Sequence, residues 1–283
     1  MPTPSRLRLA VAQTRQGQDP DDHGSVRDAG REIRALMRQA HAAGADLLQL
    51  CEATLCFPDK FALSSDPAQL AEADWARFPW PVVDAEILQI RALARELRLW
   101  TVLGVQIRPD GIDAGSRPTT SLLAIDPAGQ VAARYDERAL SRSKARYLYA
   151  AGSGPTVIEI HGLRIGFASG LEVLFPSLFS DYEARGVDCV LYSTAGTPDP
   201  AESDSLASSA RTQALQNQYW IGYAVPSDKA PHTPAGIIAP GGAWAAQAVR
   251  QTTPALAVAD LATRPPGPGR EWRRSMVESL TGP

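Results

Sequence analysis

Cysteine is scarce in this chain: three residues among 283, at positions 51, 56 and 189. That is too few, and too scattered, for the disulfide framework of a secreted domain, so a reducing, cytoplasmic setting is expected. Histidine is as sparse, with His23, His41, His161 and His232 far apart. Cys51 and Cys56 lack a second ligand pair at zinc-finger spacing, so neither a metal nor any other cofactor is expected. No apolar run approaches the roughly 18 residues of a spanning helix. The opening MPTPSRLRLAVAQ has no long apolar stretch before a small-residue cleavage site, so neither a membrane span nor a secretory leader is expected. An excess of one charge is missing too. The 28 Lys and Arg residues against 31 Asp and Glu leave a net charge of -3, which gives no broad attraction to nucleic acid or anionic lipid. Arg270, Arg273 and Arg274 read as a solvated face. Gly152-Ser153-Gly154 and Gly241-Gly242 lack the lysine of a phosphate loop and read as turns.

What is present is a soluble, 44% hydrophobic composition carrying two kinds of periodicity. Leu7 to Ala12 and Ala45 to Leu50 read as strands. Between them Val26, Ala29, Ile33, Leu36, Met37 and Ala40 recur at helical spacing, with Ser25 or Gly24 as a start and Gly44 as a stop. A loop with Pro58, Pro67, Pro79 and Pro81 precedes a second amphipathic helix bearing Val83, Ile87, Ile90, Leu93, Ala94 and Leu97. A strand from Trp100 to Ile107 follows. Asp126-Pro127-Ala128-Gly129 marks a hairpin between Ser121–Ile125 and Val131–Tyr135, and His161-Gly162 turns a second, between Thr156–Ile160 and Leu163–Ala168. Further on come a helix after Pro176, a strand at Val187–Tyr192, a helix over Glu202–Gln218, and strands at Tyr219–Val225, Ala235–Ala239 and near Ala245 and Leu256. Helices alternating with strands, with hairpins mixed in, predict mixed sheets covered by helices. The domain is placed at residues 6-262. Residues 263-283, Pro- and Gly-rich at first, read as a C-terminal arm.

Six segments, in order, resemble the nitrilase superfamily of carbon–nitrogen hydrolases. The first strand ends Ala12-Gln13. ADLLQLCEATLCF (45–57) is similar to the segment that carries the family's glutamate base. DPAGQVAARYDERAL (126–140) resembles the hairpin that carries its lysine. AGSGPTVIEIHGLRIGFASGLEVLFPSL (151–178) resembles the segment that carries its cysteine nucleophile. RTQALQNQYWIGYA, with Arg211, Ala214 and Asn217, and IIAPGGAWAA, from Ile237, resemble the later elements. The resemblance implies an α/β fold, the four-layer αββα sandwich.

It also implies chemistry. In that family a thiolate attacks an amide or nitrile carbon, a carboxylate moves the proton, and a cation stabilises the oxyanion. The nucleophile motif, R-I-G-x-x-I-C-Y-D-x-x-F-P, is met here by Arg164 to Pro176 without a gap. Gly170 then falls on the cysteine, Leu171 on the tyrosine and Glu172 on the aspartate. In the hairpin Glu137 falls on the lysine and Ala139 on the histidine. The second glutamate is expected around Ser143 to Ala145, where no acid stands. Glu52 is the one family position retained, and Cys51, where the family has proline, adjoins it. Two carboxylates at Glu52 and Glu137, about 4 Å apart, would repel by roughly 4 kcal/mol at an effective dielectric near 20. Either one keeps a proton or a cation, Arg138, Lys144 or Arg146, enters between them.

The candidate site is therefore Glu52 as the retained catalytic position, with Cys51, Glu137, Gly170, Leu171 and Glu172 as ligand-binding positions. Three functions are open. The chain can be a family member without thiol chemistry that keeps a pocket for a small amide, nitrile or amine. It can be a hydrolase acting through activated water or a substitute nucleophile, Cys51 or Ser169. It can be a scaffold subunit of an oligomer; whichever holds, a homo-oligomer, dimeric or higher, is expected.

Overall fold

The computed structural model describes residues 5–66, 68–108, 117–197, 199, 202–263 and 268–281. Pro67 and the first residues of the expected arm, 264–267, lie outside them. The first half of the chain runs β1 (Arg6–Gln13), α1 (His23–Ala42), β2 (Leu47–Gln49), α2 (Trp80–Leu97), β3 (Trp100–Ile107), β4 (Thr119–Ile125) and β5 (Val131–Asp136). The second runs β6 (Val157–Ile160), β7 (Leu163–Ser169), α3 (Pro176–Ala184), β8 (Cys189–Ser193), α4 (Ser203–Asn217), β9 (Trp220–Ala224), β10 (Gly236–Ile238), β11 (Trp244–Gln247), β12 (Ala255–Ala262) and α5 (Pro268–Thr281).

Two six-stranded sheets form, in the orders β12-β1-β2-β3-β4-β5 and β11-β10-β9-β8-β7-β6. Each has a parallel core, β1-β2-β3 and β7-β8-β9, extended by antiparallel partners. The period-two alternation of β1 assigns the layers. Leu7, Leu9 and Val11 share an apolar cluster with Phe167 and Leu191 between the sheets, whereas Ala10 and Ala12 belong with Ile33, Met37 and Ile90 of α1 and α2. On the far side Phe179 and Tyr182 of α3 and Leu206 and Ala210 of α4 belong to the same apolar cluster as the second sheet. This is the four-layer αββα sandwich expected.

The local rules hold with corrections. Asp22, not Ser25 or Gly24, caps α1, its carboxylate accepting from Ser25 N at 2.9 Å. The proline-rich loop ends at Pro79, and Pro81 lies within the first turn of α2, where a missing N–H costs nothing. The C-terminal segment read as an arm is helical over α5. Among the described residues no helix is long and apolar enough to cross a membrane. Polar side chains also bridge the apolar layer between the sheets. Gln49 Nε2 on β2 approaches the carbonyls of Tyr192 at 2.9 Å and Gly222 at 3.2 Å, and Ser193 Oγ donates to Leu50 O at 2.8 Å. These bonds register the end of β2 against β8 and β9, and the site begins at that end.

Candidate functional site

Beyond β2 the chain turns sharply at Leu50–Thr54. Thr54 N donates to Gly104 O at 2.8 Å, and Thr54 Oγ1 donates to Cys51 O at 2.6 Å. Ala53 adopts φ 44°, an uncommon conformation for a residue with a side chain. The turn lies flat on β3 because position 104 is glycine: a Cβ there would stand 2.2 Å from Cys51 O and 2.6 Å from Ala53 N. So held, Glu52 is only 2% exposed. Its backbone carbonyl accepts from Gln16 Nε2 at 2.6 Å, and its Oε2 accepts from Ala195 N at 3.0 Å.

Lys144 opens a single π-helical turn, Lys144–Leu148, a rare local geometry that often marks functional sites. Its ammonium donates to Glu52 Oε1 and, at 2.6 Å, to Glu137 Oε2. The Phe57 ring centroid is 5.6 Å from Nζ. Burial alone would lower the lysine pKa, but Glu52 and Glu137 outweigh it and raise it above the ordinary range, so the cation is permanent. Lys144 is thus the cation that the two carboxylates required. Arg138 is held elsewhere, its Nε on Tyr135 Oη at 3.1 Å and its guanidinium over the Tyr135 and Tyr182 rings. Arg146 lies over Tyr147.

Glu137 follows β5, fixed by Glu137 N donating to Thr120 O at 3.0 Å and Gly152 N donating to Glu137 O at 2.8 Å. It is 1% exposed, and its Oε1 has no hydrogen-bond partner among the described residues. Burial pushes its carboxyl up to about 8, an effect that Lys144 opposes and Glu52 reinforces. Gly170 stands where β7 gives way to a 3-10 turn, Gly170–Leu174, with φ 57°. Its carbonyl accepts from Tyr192 Oη at 2.8 Å. An ideal Cβ at 170 would lie 2.2 Å from Glu137 Oε1 and 3.2 Å from Oε2.

These groups form one end of a cavity of about 860 Å³. Glu52, Phe57, Lys144, Gly170, Leu171 and Ala195 line it, with Arg15, Asp59, Lys60, Phe61, Asp228 and Lys229 also on its wall. Of the sequence-derived positions, Glu52, Gly170 and Leu171 line the cavity, and Glu137 stands behind Lys144 and Gly170. Cys51 and Glu172 do not line it. Glu172 is fully buried and joins β5 to β7: it accepts from Tyr135 Oη at 2.6 Å, Arg138 N at 2.7 Å and Ser169 N at 2.7 Å. The Cys51 thiol is buried, 3.0 Å from Thr14 Oγ1, and burial pushes it up to about 11. Burial likewise raises Cys56, to about 12, and Cys189. Ser169 is buried and absent from the described cavity wall. Sequence reasoning named Lys144 only as one of three cations, and it missed Phe57 and Ala195, which carry no pattern of their own. Among the described residues no three His, Cys, Asp or Glu side chains converge as metal ligands.

Comparison with known proteins gives the same assignment from another direction. The family model described as carbon-nitrogen hydrolase matches residues 8–264. A Mycobacterium tuberculosis protein described as a hydrolase is 27% identical over 273 residues, covering 90% of this chain and 89% of that protein. Among solved structures, an amidase of the nitrilase superfamily from Nesterenkonia AN1 superposes with a TM-score of 0.71 at 20% identity, over 99% of both chains. A second structure of the Nesterenkonia sp. AN1 amidase carries the acetamide moiety of fluoroacetamide on its active-site cysteine; it matches with a TM-score of 0.70 at 22% identity, over 99% of this chain and 98% of that one. At these identities the structural likeness speaks for the fold.

Proposed function

The chain belongs to the carbon–nitrogen hydrolase family, and from that premise we propose that its cavity binds a small uncharged amide or nitrile without cleaving it through a thiol. The observation that carries this reading is at Gly170. Gly170, which the motif resemblance puts on the family nucleophile, has no side chain, and the Glu137 carboxyl occupies the space a Cβ would need. The three cysteines are buried and their thiols are held protonated. What the cavity offers is recognition. Lys144 has three N–H donors, of which two go to Glu52 and Glu137, leaving one for a ligand oxygen or nitrile nitrogen. Glu52, on the same wall, can accept from a ligand N–H. The test is a panel of amides, nitriles, carbamoyl compounds and ureas, followed by ammonia release and by thermal shift. Binding without turnover raises the melting temperature by mass action, and ammonia release above the uncatalysed rate would overturn the reading.

A second reading has support in the Glu52–Lys144 pair on the cavity wall: a carboxylate and an ammonium together can activate water for C–N hydrolysis. It requires turnover that Glu52→Gln abolishes and that leaves no covalent adduct. We further propose that residues 6–262 make the domain, that residues 263–283 append to it, and that the chain self-associates through surfaces such as α5, where Trp272 is 65% exposed. The three unpaired thiols support a reducing, cytoplasmic location.

A further inference from the structure

The wall of the cavity combines three features that are explained together or not at all: a left-handed glycine, a buried carboxyl oxygen without a partner, and one ammonium shared by two carboxylates. We infer that Glu137 is the positioning residue of this site, its carboxyl filling the volume of any side chain at 170 and, by keeping a proton, holding the Glu52–Lys144 wall uncharged. This deepens the ligand-binding reading above and rests on it, yet it concerns this chain's own residues and is testable without a ligand.

The steric half comes from distance. Glu137 Oε1 lies 2.2 Å from the ideal Cβ of residue 170 and its Cδ lies 2.8 Å away, both inside any real contact. Glu137 cannot retreat freely, because Oε2 is bound to Lys144 at 2.6 Å and the backbone on both sides is hydrogen-bonded. Glycine at 170 and glutamate at 137 are therefore one substitution in two places.

The electrostatic half comes from counting charge. Groups facing Glu137 are Lys144 from the π turn, Glu52 from the turn after β2, Glu172 from the 3-10 turn after β7, and the neutral phenol of Tyr192 on β8. Glu172 is compensated by its own donors, from Tyr135, Arg138 and Ser169. That leaves one ammonium for two carboxylates. Glu52 has both oxygens satisfied, by Lys144 and by Ala195 N, whereas Glu137 has one bare. The proton belongs on Glu137, as its upward shift to about 8 also indicates. With it there, Glu52 and Lys144 cancel and the wall suits an uncharged ligand.

Two measurements on the full chain decide this. In a double-mutant cycle, Gly170→Ala is expected to lower the melting temperature much more in the native background than in the Glu137→Ala background. The strain of a left-handed alanine is common to both arms and cancels. A Gly170→Ala chain that fails to fold while the double variant folds also supports the inference. An equal loss in both backgrounds, or failure of both chains to fold, overturns it. The second measurement is melting temperature against pH for the native chain and Glu137→Gln, which keeps the size and loses the titration. A raised carboxyl binds its proton more tightly in the folded state, so native stability should decline as pH rises from about 4.5 through about 8, and the variant should lack that decline. Parallel curves would overturn the proton assignment, since a residue that only filled space would leave the profile unmoved.

Discussion

At the scale of the residue, the site is decided by where one ammonium goes. The family resemblance implies that Glu137 beside Glu52 needs a proton or a cation, and the sequence offers Arg138, Lys144 and Arg146. It cannot choose among them, because the choice depends on tertiary contacts: Tyr135 and Tyr182 take the Arg138 guanidinium, and a π turn aims Lys144 inward. Removing that cation strands the buried Glu52 carboxylate and takes from Glu137 its one side-chain donor. Lys144→Met should cost about 3 kcal/mol, the loss typical when a buried ion pair is broken from one side, and a lower urea midpoint at unchanged slope would register it. The three cysteines are buried and unpaired. At pH 7.5 all three should resist iodoacetamide in the folded protein and react once it is unfolded, a contrast that intact mass counts directly. Rapid labelling of Cys51 in the folded chain would reopen it as a nucleophile.

At the scale of the element, the long periodic segments are legible in the sequence and the short ones are not. Both α1 and α2 expose their apolar stripes in the sequence, and the turns at Asp126–Gly129 and His161–Gly162 name their hairpins. The π turn at Lys144–Leu148 and the 3-10 turn at Gly170–Leu174 are each five residues long, too short to show a period. They are also where the site is made. Helix α5 escapes sequence reasoning because Pro265, Pro266, Gly267, Pro268 and Gly269 lead into it; Pro268 sits at its first position, where proline is tolerated. The turn carrying Glu52 depends on β3 approaching without a Cβ at 104. Gly104→Ala should therefore displace Cys51–Ala53 and cost about 1–3 kcal/mol as an overpacked core does. Calorimetry reads the stability, and loss of any amide-induced thermal shift reads the displaced Glu52.

At the scale of the whole molecule, the chain's first and last strands pair along their full length, from Arg6↔Ala262 to Gln13↔Ala255, so the fold closes only once β12 is made. Helix α5, C-terminal to β12, is outside that closure. It leaves Trp272 and Met276 exposed, and truncation after Thr263 should leave the melting temperature within a few degrees while shifting any self-association to smaller species in sedimentation velocity. The fold is readable because six segments keep their order and spacing around the site. The site's chemistry is less legible, since no local pattern states what Gly170 and Glu137 do to each other across two sheets' ends. The central claim, a family fold whose cavity binds without thiol attack, meets its most direct test in intact-mass spectrometry of the native chain after prolonged incubation with fluoroacetamide at pH 7.5. The account predicts an unchanged mass; addition of one acetamide unit to the folded protein would contradict it.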